Sequence, residues 1–224
     1  MKAFVVDLDS RENQNILKPS ARPFNNQAYQ VNEVAKKIYK LIKGAKYPND
    51  DIILNHNEIK EAFFSPFEPQ LKDAQVFLSH SHANKNKALE VKDYLEEYLD
   101  AKCVFIDSLF WDYKDDVLNR LAKYDNTSKI KDAFTLILRE SLQNMIEKCP
   151  YFVFLQSNNS VSNQGLSCIT YSAWIYEELK IAHSIRESRL TPMMESMQVF
   201  HDISPFLESL ETITLKELSH IINS

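Results

Sequence analysis

Apolar runs of four or five residues alternate with helical repeats over the last two thirds of the chain. Most of these runs are followed by polar residues, as expected of strands in an open sheet. The predicted strands are 74–78, 103–106, 151–155, a weaker one at 197–200 and a short one at 212–214. The predicted helices are about 85–99, 130–146, 171–188 and 215–222. This alternation predicts an α/β fold in which helices cover both faces of a parallel sheet.

The first 70 residues have a less regular pattern. An apolar run at 3–6 is compatible with a short strand, and helical spacing predicts helices at 31–42 and 58–64. Two prolines then interrupt any regular element, and the aromatic residues before them favour an ordered segment. We therefore divide the chain into a mostly helical N-terminal extension and an α/β domain, 1–70 and 71–224.

The glycine content excludes two common nucleotide-binding motifs. The 224 residues contain only two glycines, Gly44 and Gly165, which are far apart. A P-loop or a GxGxxG turn needs several glycines close together, because the backbone must approach a phosphate group closely. The net charge of -5 also disfavours a nucleic-acid partner.

The cysteines and the hydropathy indicate the compartment. Cys103, Cys149 and Cys168 are odd in number and widely spaced, which fits neither a disulfide framework nor a zinc cluster. No apolar run approaches the ~20 residues that cross a bilayer. The first ten residues also acquire acidic side chains too early for a signal peptide. We therefore expect a cytoplasmic protein with no bound metal and no membrane partner.

The loops that follow the predicted strands are the expected place for a ligand, because open parallel sheets bind ligands beyond the carboxyl ends of their strands. The first strand ends in Ser79, His80, Ser81 and His82. Asp107 ends the second strand, and Trp111 follows in a polar stretch. These side chains have ordinary alternatives: solvated loop histidines, a carboxylate that caps the next segment and a tryptophan of the core.

One acidic residue interrupts the apolar face of the third predicted helix. At ~100° per residue, Glu178 falls near the middle of that face, whereas Glu177 lies at its edge. The apolar positions of this face are Tyr171, Trp174, Ile175, Ile181, Ala182 and Ile185. A buried carboxylate is costly unless it is paired, hydrogen-bonded or open to a cleft. Glu178 therefore either caps a loop amide or meets a buried cation, as a structural group, or lines a pocket at the strand ends.

Three sequence motifs together resemble those of TIR (Toll/interleukin-1 receptor) domains, particularly the bacterial type. The segment 73–80, DAQVFLSH, resembles the first-strand signature of the family, and 104–107, VFID, resembles the second. The segment 174–179, WIYEEL, matches the family pattern W-x-x-x-E on the third helix. The run 107–112 is similar to that of TIR-like proteins of Thoeris-type antiphage systems. The resemblance covers roughly residues 73–224 and implies a flavodoxin-like parallel sheet.

The resemblance also implies an activity. In enzymatic TIR domains, the glutamate four residues after the tryptophan cleaves the nicotinamide–ribose bond of NAD, and that position is Glu178. Ser79, His80 and Ser81 would then border the nucleotide, with Asp107 and Trp111 over the active site and Trp174 supporting the helix. NAD is the substrate, and no cofactor or metal is needed.

Two further properties come from the same resemblance. The product would be ADP-ribose or a cyclic or conjugated ADP-ribose signal for a separate effector protein in antiviral defence, with self-association through TIR contacts. The alternative is an adaptor without catalytic activity that acts only through TIR–TIR contacts. Animal receptor TIR domains of that class generally lack the glutamate, so Glu178 favours the enzyme.

Overall fold

The computed structural model describes residues 1–19, 28–44, 55–64, 73–98, 103–106, 115–122, 128–164, 167–187 and 201–223. The strands are β1 (Lys2–Asp7), β2 (Ala74–His80), β3 (Cys103–Ile106), β4 (Tyr151–Gln156), β5 (Ser162–Gln164), β6 (Ser167–Thr170), β7 (His201–Asp202) and β8 (Glu211–Thr212). The helices are α1 (Arg11–Ile16), α2 (Ala28–Gly44), α3 (His56–Phe64), α4 (Lys85–Tyr98), α5 (Ser128–Lys148), α6 (Ala173–Glu187), α7 (Ser204–Glu208) and α8 (Leu215–Asn223). A further helical stretch lies at 115–121. The predicted α/β class is confirmed.

The chain forms two compact units. The first comprises 1–22, 73–108 and 142–224, and the second comprises 23–72 and 109–141. This division differs from the domain boundary predicted at residue 70, because residues 1–19 belong with the sheet. The predicted strand at 197–200 lies outside the described residues.

A five-stranded parallel sheet forms the centre of the first unit, in the order β3-β2-β4-β1-β8. Strand β1 pairs along its whole length with β4 and also pairs with β8, so the N-terminal strand is an interior strand. All four residues from Ala3 to Val6 are buried. A continuous apolar run is what a parallel strand covered on both faces requires. The chain start is thus part of this core.

Aromatic side chains cross the sheet at one level. The register places Phe77 of β2 beside Phe105 of β3 and Phe152 of β4. The Phe77 ring centroid lies 5.8 Å from each of the other two, and both pairs are stacked. Such pairs add about 0.5–1.5 kcal/mol each to the burial of the rings. This row anchors the three neighbouring strands in register below their carboxyl ends.

A second, antiparallel sheet was not anticipated from the sequence. It has three short strands in the order β5-β6-β7, and it follows β4 in the chain. The strands contain only two to four residues each, too few for a periodic signal. Helix α6 contacts both β6 of this sheet and β2 of the parallel sheet.

In the second unit, α2 packs against α3. Val34, Ala35, Ile38 and Ile59 are buried, which agrees with the helical spacing of the sequence. Lys60 of α3 forms an ion pair of 3.2 Å with Glu140 on α5. Within the described ranges of both units, no helix has the length and apolar character needed to cross a membrane.

Candidate functional site

Three parallel strands end together at one edge of the sheet. Leu155 of β4 is paired with Val6 of β1 on one side and with His80 of β2 on the other. The chain leaves β2 toward β3 and leaves β4 toward β8, which lie in opposite directions along the sheet. The carboxyl ends of β2 and β4 therefore form a topological switch point, the usual place for a ligand in open α/β sheets.

The predicted residues of β2 lie at this switch point. Ser79, His80 and Ser81 are all buried, whereas His82 is exposed. The His80 Nδ1 atom donates a hydrogen bond to the Ser81 carbonyl oxygen over 2.6 Å. The interpretation of His80 as a solvated loop histidine is therefore wrong, whereas His82 is exposed as that interpretation requires. Within the described part of the chain, the Ser79 and Ser81 hydroxyl oxygens are buried and have no hydrogen-bond partner.

The loops after β2 and β4 are joined by side-chain hydrogen bonds. The Asn84 side-chain amide donates to the Ser157 hydroxyl, and the Asn159 amide donates to the Asn84 side-chain oxygen over 3.1 Å. The Ser160 hydroxyl accepts from the Ser157 N–H over 2.8 Å. Buried polar groups held in this way give a rigid network. The network fixes the loops on both sides of the switch point.

The N-terminal strand adds a charged group that sequence analysis missed. Asp9 follows β1 and accepts from the Asn158 backbone N–H over 2.9 Å and from Lys87 of α4 over 3.2 Å. The Asn158 N–H, followed by Lys87, lowers the pKa of the Asp9 carboxyl, although partial burial opposes this effect. Asp9 thus connects the loop after β1 with the loop after β4 and with α4. The sequence around Asp9 is an ordinary polar turn, so this role of Asp9 can be recognised only from the position of β1 inside the sheet.

Helix α6 carries the anomalous glutamate. Its first turn is capped by Ser172, whose hydroxyl accepts from the Ile175 N–H over 3.3 Å. The predicted start at 171 is therefore two residues early, and Tyr171 lies before the helix with 65% of its surface exposed. Placing Tyr171 on the apolar face was wrong. The helical spacing alone could not show that Ser172 ends the preceding loop.

Glu178 is fully buried, with an exposure of 0%. The helix that carries it contacts β2, the strand that ends in the serine and histidine residues of the switch point. Glu177, which the sequence predicts at the edge of the apolar face, is also buried, with an exposure of 5%. Trp174 is half-buried in the first turn of the same helix. Asp107 and Trp111 lie outside the described residues.

This arrangement supplies a carboxylate, a histidine and hydroxyl groups on neighbouring elements. Among the residues that the structure describes, no group of three or more His, Cys, Asp or Glu side chains is placed to hold a metal ion. Hydroxyls and a carboxylate are groups that hydrogen-bond sugar hydroxyls or stabilise a developing positive charge. Because solvent does not reach Glu178, a ligand can contact it only when neighbouring groups move.

Comparison with known proteins returned no relative. No family model matches the sequence, and no curated protein and no solved structure matches the chain.

Proposed function

We propose that the chain is an enzyme of the TIR type that cleaves the nicotinamide–ribose bond of NAD, with Glu178 as its catalytic residue. The observation that carries the proposal is the complete burial of a carboxylate on the helix that packs against β2. Buried carboxylates with a specific environment are candidates for functional groups. The sequence motifs around Ser79 and Trp174 supply the resemblance to TIR domains.

In the proposed reaction, the bond between ribose C1′ and the nicotinamide nitrogen breaks, and its electron pair leaves with nicotinamide as a neutral base. The ribose then carries an oxocarbenium-like positive charge. The Glu178 carboxylate stabilises that charge and hydrogen-bonds the ribose hydroxyls, by analogy with glycoside hydrolysis. Attack by water gives ADP-ribose and one proton. Attack by an adenine nitrogen or a ribose hydroxyl of the same molecule gives a cyclic product, and another nucleophile gives a conjugate.

The residues at the end of β2 have supporting roles in this proposal. Ser79 and Ser81 offer hydroxyl groups that can donate to the substrate, and His80 is held in place by its bond to the Ser81 carbonyl. Trp174 lies one helical turn before Glu178 and orients the start of α6. We assign Asp107 and Trp111 to the substrate-binding loop on the basis of the TIR resemblance alone.

The burial of Glu178 has a consequence for activity. NAD must displace groups beside α6 before it reaches the carboxylate, so we propose that the enzyme is activated by an event that opens this position. TIR–TIR self-association is the proposed event, and a separate effector protein is the proposed reader of the product.

The experiment measures nicotinamide release by liquid chromatography after the full-length protein is mixed with NAD over a range of protein concentrations. Glu178→Gln keeps the size of the side chain and removes its charge, so nicotinamide release should fall by about 10²–10³. Glu177→Gln is the matched control, because both residues are buried on the same helix and both substitutions replace a carboxylate by an amide of the same size. The thermal unfolding midpoints of both variants show whether the folds are intact.

Mass spectrometry of the same reaction identifies the product. ADP-ribose indicates a hydrolase, and a species lighter by one water indicates a cyclase. Wild-type protein that self-associates but releases no nicotinamide at any concentration would support the alternative function, an adaptor without catalytic activity.

A further inference from the structure

A groove in the first unit lies apart from the switch point. Its volume is about 660 Å³, within the range of small-molecule sites. One part of its lining comes from α4 and includes Tyr94, Glu97 and Tyr98, and another part comes from α8 and includes Lys216. Residues 15, 16, 18 and 19, at and after the end of α1, close a third side.

The walls of the groove are held together by hydrogen bonds. Asn13 of α1 is buried, and its side-chain oxygen accepts from the Leu215 N–H at the start of α8 over 2.9 Å. At the other end of α8, the Asn223 side-chain amide donates to the Tyr98 carbonyl oxygen over 2.9 Å. Helix α8 is therefore bonded to α1 near its start and to α4 near its end, so hydrogen bonds connect the three elements that line the groove.

The α4 wall combines aromatic rings with negative charge. The ring centroids of Tyr94 and Tyr98 lie 4.7 Å apart with the rings tilted by 45°, so the two rings are in contact on this side of the groove. Burial raises the pKa of the Tyr94 phenol, so this hydroxyl stays neutral at physiological pH. Glu97 lies on the same face and is exposed to solvent. Aromatic faces beside carboxylates favour a flat organic cation, and the guanidinium group is the one that stacks and pairs best.

The α8 wall has the opposite charge. Lys216 is exposed and lines the same groove as the acidic residues of α4, and Lys18 adds a second positive charge to the lining. These lysines favour a ligand that carries an anionic group in addition to its cation. A free molecule with both charges fits this pattern better than an arginine side chain within a peptide, which has no carboxylate of its own.

We propose that this groove binds a small molecule that carries both a guanidinium group and a carboxylate group, with the guanidinium beside Tyr94, Tyr98 and Glu97 and the carboxylate beside Lys216. L-Arginine is a molecule of this class. The proposal is independent of the proposed NAD cleavage, because no residue of the groove belongs to that site.

The experiment titrates the full-length protein with L-arginine by isothermal calorimetry. Three analogues are compared: citrulline, which replaces the guanidinium by a neutral urea, agmatine, which lacks the carboxylate, and Nα-acetyl-L-arginine amide, which imitates a residue in a peptide. Arginine should bind saturably at one site. The loss of a charge-assisted contact should weaken each analogue by about 10-fold or more.

Two exposed residues make the test specific. Glu97→Gln should weaken arginine and agmatine by a similar factor, about 10-fold. Lys216→Gln should weaken arginine toward the affinity of agmatine and should not weaken agmatine itself. Glu208→Gln and Lys148→Gln are matched controls on exposed positions outside the groove and should change neither affinity. No saturable arginine binding, citrulline binding equal to arginine, or Glu97 and Lys216 variants that bind like wild type would each overturn the proposal.

Discussion

Because β1 is an interior strand of the sheet, we predict that shortening the Val6 side chain destabilises the protein. Its side chain has an exposure of 0% and its strand lies between β4 and β8. Val6→Ala removes two methyl groups from this core, which costs about 1.6 kcal/mol of transfer free energy at ~0.8 kcal/mol per group. A cavity that closes only partly raises the expected loss to about 2–3 kcal/mol. For a chain of this size, the midpoint of thermal unfolding should fall by about 4–12 °C.

Urea unfolding followed by far-UV circular dichroism measures this loss. The control is Lys2→Ala on the same strand, which is exposed and should change the free energy of unfolding by less than about 0.5 kcal/mol. Hydrogen exchange provides a second measurement, because amides of residues 3–6 should be as protected as those of β4. If Val6→Ala costs no more than Lys2→Ala, β1 is a peripheral segment and the strand order given above is refuted.

Two further substitutions test the loops around the sheet. Asp9→Asn should destabilise the protein at pH ~6 because it weakens the contacts to Asn158 and Lys87. The folded-state pKa of Asp9 is lowered, so its contribution is present above the unfolded pKa of ~3.9 and is lost as the pH falls through the folded pKa. The difference in urea midpoint between wild type and variant should therefore be smaller at pH ~3 than at pH ~6, and a constant difference would contradict this assignment. Thr214→Ala should lower the free energy of unfolding by about 1 kcal/mol in the same assay, because it removes one half of the cap at the start of α8. In that cap, the Thr214 N–H donates to the Glu217 carboxylate over 2.8 Å and the Glu217 N–H donates to the Thr214 hydroxyl over 3.2 Å. An unchanged midpoint would show that the cap is not stabilising.

The sequence predicts most elements of the parallel sheet because their signals are local. Strands β2, β3 and β4 are continuous apolar runs closed by polar residues, and the structure places them within about one or two residues of the predicted bounds. The helical period also places Glu178 in the middle of the apolar face of α6, and the structure buries it there. The period alone does not show whether such a residue is covered or lines a cleft.

The position of β1 could not be predicted in the same way. Residues 3–6 show that a strand is present, but an apolar run carries no information about which strands it pairs with. The insertion of β1 between β4 and β8 joins residues more than 140 positions apart. The contacts of Asp9 with Lys87 and Asn158 depend on that insertion, so they were not visible in the sequence either.

We propose that Glu178 acts on NAD rather than only filling the core. The rate of nicotinamide release by Glu178→Gln relative to Glu177→Gln tests this proposal, in preparations whose unfolding midpoints agree. We predict a rate for Glu178→Gln that is lower by about 10²–10³. Equal rates in the two variants would contradict the claim and leave Glu178 as a structural residue.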